Sequence, residues 1–423
     1  MFFTRFAKSS SSGIAMAAAL AVVGVLGVTA IEQPAAAQKK DKKQKEAKQN
    51  YSKGFVAAYQ PIAEQAQGET ANWSALAGQV PALVQTIETE DDRFAAGQFI
   101  YQVGSKNQDA AMQLQGAELM LASGKVPAES QSQYNLLAGQ LSYNAKDYGK
   151  ARTYLTKAAE LGAADAQGLI AETYFNDNQH SEGLTYLKQA IEAKQAAGET
   201  VEEDWIRRGL SIAYNNKLQP QIADFGLMYV RNYPNATNWG EIIAINAYGG
   251  GYANPEILDF MRLARETDGM RDEKMYADYI DAADYRRLPG EVVAVIDEGY
   301  AAGKLTQDGY AAEIRGMAAE RATADKADLP GIISGAQSAS DGQKILTGAD
   351  VALSYGDNAA AELLYTKALN ASGVDKNLVL TRLGIAQLEQ GKAAEAKASF
   401  AQVQGKRKAL ADLWTAYAEQ SAS

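Results

Sequence analysis

From Tyr51 to the C-terminus, apolar residues recur every three to four positions and stop only at short turn signals. The period-2 alternation of β-branched residues that strands require is nearly absent. The pattern predicts helix after helix, with breaks at Gly68, Gly104-Ser105, Gly124, Gly162, Gly198, Pro234, Gly249-Gly250-Gly251, Pro289-Gly290, Gly303 and Gly356. Most of these breaks are separated by the length of one or two short helices, which suits antiparallel pairs. Alanine is abundant and only 9 prolines occur, so the helices are expected to pack through small side chains.

Two stretches align on each other. Residues 134–162 (YNLLAGQLSYNAKDYGKARTYLTKAAELG) match 166–194 (AQGLIAETYFNDNQHSEGLTYLKQAIEAK), pairing Gly139 with Ala171, Ala151 with Gly183, Leu155 with Leu187 and Ala158 with Ala190. Near the C-terminus, residues 346–370 carry Gly356-Asp357, Ala361 and Ala368, and residues 380–403 carry Gly384, Gly391, Ala396 and Phe400. The step from Gly384 to Ala396 equals that from Gly139 to Ala151. Small residues at fixed spacing are what two helices need to cross closely. This arrangement resembles the tetratricopeptide (TPR) family, which pairs two helices in about 34 residues. A fifth, degenerate unit runs from Trp205 to Pro234 with about one extra residue relative to that family, and another begins near Trp239. The resemblance implies an all-α fold, a right-handed α-solenoid of antiparallel helix hairpins.

The chain divides into a signal peptide (1–37), a lysine-rich flexible leader (38–50), an N-terminal helical region (51–133), TPR-like repeats (134–235), degenerate helical repeats (236–330), C-terminal TPR-like repeats (331–405), and a capping helix with tail (406–423). Leu410, Leu413, Trp414 and Tyr417 give that last helix one apolar stripe. Arg5 and Lys8, the uncharged run Gly13–Ile31, and Ala35-Ala36-Ala37 form the n-region, h-region and cleavage site of a secretory signal. Cleavage there leaves Gln38 first and predicts a periplasmic or secreted protein. The alternative is an N-terminal membrane anchor. The six lysines of Lys39–Lys48, set against Asp41 and Glu46, oppose translocation and offer contact with an anionic membrane surface.

The formal charge is −10 and no basic face follows the leader, which argues against nucleic acid as a partner. There are no cysteines and one histidine, His180, read as a turn residue between two repeat helices, so a zinc site would have to be nearly all carboxylate, and no strand precedes any serine as a Ser-His triad would need. Tyr248-Gly249-Gly250-Gly251-Tyr252 lacks the Gly-Lys-Ser/Thr of a phosphate loop and reads as a linker. Asp278, Asp281 and Asp284 step along one helical face, which is read as a solvated surface beside Arg286 and Arg287 rather than an ion site. No cofactor is expected, and no catalysis.

What remains is a recurrent aromatic-asparagine pair where first helices end: Tyr143-Asn144, Phe175-Asn176 and Tyr214-Asn215. In the TPR family first helices line the concave groove, and carboxylate-binding members use asparagines and lysines there. The resemblance therefore makes Gln140, Tyr143, Asn144, Glu172, Phe175, Asn176, Tyr214 and Asn215 a candidate surface for a protein or peptide. The competing reading is that the asparagines are left-handed helix caps, since glycine follows Tyr248 and Tyr355 at the equivalent place. The expected function is a non-catalytic interaction scaffold or adaptor of the bacterial cell envelope. An envelope glycan-processing enzyme and a passive structural spacer are the alternatives.

Overall fold

The computed structural model describes residues 49–67 and 70–421. The leader at 1–37 and the lysines of 39–48 lie outside the described residues. Within them, all regular structure is helical. The first elements are α1 (Lys53–Ala66), α2 (Trp73–Val84), α3 (Glu90–Asn107), α4 (Ala110–Ala122), α5 (Gln131–Asn144), α6 (Tyr148–Glu160), α7 (Ala166–Asn176), α8 (His180–Ala196), α9 (Glu203–Asn215) and α10 (Gln219–Asn232). The second half holds α11 (Ala236–Gly249), α12 (Asn254–Glu266), α13 (Glu273–Ala283), α14 (Pro289–Ala301), α15 (Gly309–Ser338), α16 (Gly342–Ser354), α17 (Asn358–Ala368), α18 (Lys376–Leu388), α19 (Ala393–Phe400) and α20 (Lys408–Ser421). Each helix packs on its sequence neighbours, which makes an α-solenoid of hairpins.

Among the described residues, one turn joins six of the helix pairs directly. Gln108, Lys146, Asn178, Lys217, Gly356 and Gly391 all have positive φ, and in each case the next amide returns to a carbonyl five residues back, at 2.8–3.0 Å. This is the Schellman closure of a helix C-terminus. The residue that closes it is also the N-cap of the next helix, and Asp109, Asp147 and Asp357 use their carboxylates to hold the third amide of that helix. Measured from the left-handed residue, the crossing positions seven before and five after are Gly139/Ala151, Ala171/Gly183, Ala349/Ala361 and Gly384/Ala396, all buried. A Cβ on Gly139 would sit 2.6 Å from Leu155, one on Gly183 2.6 Å from Phe175, and one on Gly384 2.4 Å from Phe400. The small residues are thus required by close approach of the helix axes.

The structure departs from the sequence reading in several places. Gly104 does not break a helix; it lies inside α3, where a Cβ would meet the α4 backbone at 2.7 Å. The α3–α4 pair turns at Gln108 like the later hairpins, so the repeat scheme begins before residue 134. Pro289 is the first residue of α14 rather than a break, a position where its missing N–H costs nothing. The boundary between 330 and 331 falls inside the 30-residue α15, which runs through Pro330.

α20 does more than follow α19. It packs on α10, α12 and α18, burying Leu410, Ala411, Leu413, Trp414, Ala416 and Ala418. Gln420 bonds the Val230 carbonyl at 2.9 Å and the Trp239 indole N–H at 3.3 Å, and Arg231 pairs with Glu419 at 3.2 Å. The C-terminal arm therefore folds back onto the middle of the solenoid along a seam.

Candidate functional site

The candidate strip is carried by α5, α7 and α9, whose C-terminal turns lie side by side. Asn176 donates to the Tyr143 hydroxyl at 2.9 Å and to the Glu172 carbonyl at 2.8 Å. Glu172 in turn accepts from Nε and Nη2 of Arg208, at 2.6 and 2.8 Å. The Arg208 guanidinium also lies 5.7 Å from the Phe175 ring. Tyr143, Glu172, Asn176 and Arg208 thus form one network across three helices. Arg208 was not legible as part of it, because its partner lies 36 residues away. Burial pushes the Tyr143 hydroxyl above its ordinary value, and the Glu172 carboxylate adds to this.

The remaining strip residues separate. Gln140 is half-buried on α5, and Asn144, Tyr214 and Asn215 are exposed; Tyr214 keeps 43% of its surface accessible. Asn215 reaches only Ser211, one turn back, at 3.4 Å. Phe175 is the exception: it is 4% exposed and packed under Gly183, so it belongs to the hairpin core and cannot contact a partner. The three asparagines are not left-handed caps either. Each is the last residue of its helix, and the left-handed residue comes two positions later, at Lys146, Asn178 and Lys217.

The strip continues in kind on later helices. Tyr248 donates to Asp278 at 2.7 Å, under the Lys274 ammonium, and the Tyr310 hydroxyl bonds Asp281. Asp284 is held by Arg286 at 2.8 and 2.9 Å. The acidic row is therefore divided among separate partners, and among the described residues no three or more His, Asp or Glu gather as a metal ion would need.

A second constellation lies at the seam, and the sequence reading missed it. Asp259 is fully buried on α12 and faces three arginines: Arg262 at 3.1 Å, Arg382 at 3.1 Å and Arg407 at 2.8 Å. Arg262 makes a bidentate pair with Glu291 at 2.7 Å, and Arg382 reaches Asp350 at 2.7 Å. The Tyr279 and Tyr365 hydroxyls complete Glu291 and Asp350 at 2.8 and 2.7 Å. Asp259, Glu291 and Asp350 balance Arg262, Arg382 and Arg407, so the buried cluster is neutral. Burial alone would raise the Asp259 and Glu291 carboxyls, but the surrounding guanidiniums hold both below their ordinary values. Beside the cluster is a cavity of about 250 Å³ whose lining includes Arg265, Glu266, Glu389 and Trp414. That is small beside the ~300–1,000 Å³ of pockets that bury organic ligands.

No protein-family model matches the sequence, and no curated protein matches it. Among solved structures, the TPR2AB domain of yeast Sti1 in its pHSP90 complex is 12% identical, covering 69% of this chain and 96% of that one with a TM-score of 0.23. Naa15/Naa10 bound to HypK-THB is likewise 12% identical, covering 85% of this chain and 65% of that one with a TM-score of 0.36.

Proposed function

We propose that the protein is a non-catalytic scaffold or adaptor that holds a protein or peptide partner in the bacterial cell envelope. The observation that carries this reading is the cross-helix network of Tyr143, Asn176, Glu172 and Arg208, flanked by exposed Asn144, Tyr214 and Asn215. Its members are fixed by hydrogen bonds before any partner arrives, so little side-chain entropy is lost on binding. Tyrosine and arginine are also the residues that most often dominate interfaces. The envelope setting is supported by Arg5, Lys8, the apolar run and Ala35-Ala36-Ala37, with Lys39–Lys48 available to an anionic membrane surface. Nucleic acid is not the partner in this reading.

The test places a photo-crosslinking residue at Asn144 in cells and, as a control, at the exposed Lys157 on α6. Defined protein adducts from position 144, absent from 157 and lost with Tyr143→Ala and Arg208→Ala, are expected. Equal adducts from both positions, or none from 144, would remove the strip as the site. Mass spectrometry of the native protein should find Gln38 at its N-terminus; intact residues 14–31 in a membrane fraction would replace export with anchoring.

A further inference from the structure

A groove of about 670 Å³ runs between the second half of α15 and the first half of α16. Its floor is made by Ile332, Ala336 and Gly348, where a Cβ on Gly348 would strike Ala336. Its rim carries Gly331 and Gly335 of α15, one turn apart. A glycine inside a helix weakens it relative to alanine. At the hairpin crossings that loss is offset by close approach to Leu155, Phe175 or Phe400. At Gly331 and Gly335 nothing lies within 4 Å of the missing Cβ, so no contact inside this chain calls for a bare backbone there. A second helix approaching from outside does. The charges of the groove stand at its two ends. Asp328 lies about two turns before Ala336 on α15, away from the α15–α16 turn, and Lys344 lies one turn before Gly348 on α16, beside that turn. They are thus roughly 18 Å apart along the groove. Both are exposed, and among the described residues neither side chain has a hydrogen-bond or ion-pair partner.

We propose that the α15–α16 groove docks a second copy of this chain, joined about a twofold axis with the two α15 helices antiparallel. A groove with an acid at one end, a base at the other and a bare backbone between them is its own complement when turned end for end. An axis level with Ile333 sets Gly331 of each copy against Gly335 of the other. It also brings Asp328 of each copy to within about one helical turn of Lys344 of the other, a gap that the lysine side chain spans. A twofold contact uses the same patch on both copies, so the two ion pairs form together. Parallel α15 helices would set Asp328 against Asp328 and Lys344 against Lys344, and that repulsion selects the antiparallel register. A small organic ligand is a poorer occupant, because the charges stand apart instead of converging on one point. This inference does not depend on the proposed function.

Sedimentation velocity of the full chain tests it. A contact of one helix pair falls at the weak end of interfaces, so the concentration is raised over roughly 1–200 μM. The sedimenting mass should rise from one copy towards two. Gly331→Leu fills the groove while meeting nothing in its own chain, and should weaken pairing at least about tenfold. Asp328→Lys and Lys344→Asp each place like charges in both contacts, so each variant alone should stay a single copy. Mixed in equal amounts they should pair, because every contact then joins opposite charges. If Gly331→Leu loses helicity by circular dichroism, the mixture decides. A native chain that stays a single copy across the range overturns the proposal. So does pairing that survives Gly331→Leu, or a mixture that pairs no better than either variant alone.

Discussion

Replacing Asp259 with Asn removes one negative charge from the centre of the buried cluster while keeping the volume. Three arginines converge on that carboxylate, and it is 0% exposed. Asn can still accept one hydrogen bond, but the cluster is left with an uncompensated positive charge out of water. Breaking a buried pair by removing one partner costs about 3–5 kcal/mol, and we expect Asp259→Asn to fall in that range. With a urea m-value of ~3 kcal/mol/M for a chain of this size, the transition that includes the arm should move down by about 1 M or more. The reasoning also predicts a rescue. Nη2 of Arg407 is buried without a partner, so Asp259→Asn with Arg407→Met restores neutrality, removes an unpaired donor and should recover at least about half the loss. Glu419→Gln, which breaks the exposed Arg231 pair on the same seam, should change stability by no more than about 1 kcal/mol. Urea unfolding followed by circular dichroism at constant pH reads all three. A midpoint for Asp259→Asn within about 0.3 M of the native value, or a double variant carrying the full sum of both losses, refutes the account.

Two further perturbations follow from the fold. Gly139→Ala should cost about 1–3 kcal/mol because its Cβ strikes Leu155, whereas Gly316→Ala, inside α15 with nothing within 4 Å, should stabilise by about 0.5–1 kcal/mol; thermal melts of both give the opposite signs or disprove the crossing. Asp92 is buried, which alone would raise its carboxyl, but the amides of Ser52, Glu88 and Thr89 outweigh burial and hold it below 3.8. A depressed carboxyl contributes stability above its ordinary value and loses it as pH falls through the folded one. Asp92→Asn should therefore cost about 1–3 kcal/mol at neutral pH and flatten the acid limb of urea midpoints measured below about pH 4.

The hairpins were legible because their signals are local. Gly139/Ala151 and Gly384/Ala396 mark the crossings in the sequence itself, and the structure sets Gly139 against Leu155 and Gly384 against Phe400, each across one turn. The Asn144, Asn176 and Asn215 caps were misread by two residues, since the left-handed position accepts Lys146 and Lys217 as readily as Asn178 or Gly356 when the 6→1 bond closes. Phe175 looked like an interface aromatic because nothing in the sequence reports that Gly183 leaves room for its ring. The α3–α4 hairpin was hidden because Gly97 and Gly116 make its crossing in a different register. The buried cluster was out of reach for another reason. Asp259, Arg382 and Arg407 are 123 and 148 residues apart, and a charged residue on a helix reads as surface until its distant partner is known.

The seam also sets an order of events at the ribosome. A stack of hairpins can form piece by piece as it is made, since each pair leans on the one before. α12 cannot finish in that way, because two of the three cations that neutralise Asp259, Arg382 and Arg407, and the indole of Trp414 that bonds its carbonyl are synthesised more than a hundred residues later. Until Arg382, Arg407 and Trp414 appear, a charged and apolar face stands open on a half-built chain. That interval is the one in which the nascent protein most needs a chaperone, and a chain that stops before α18 never leaves it.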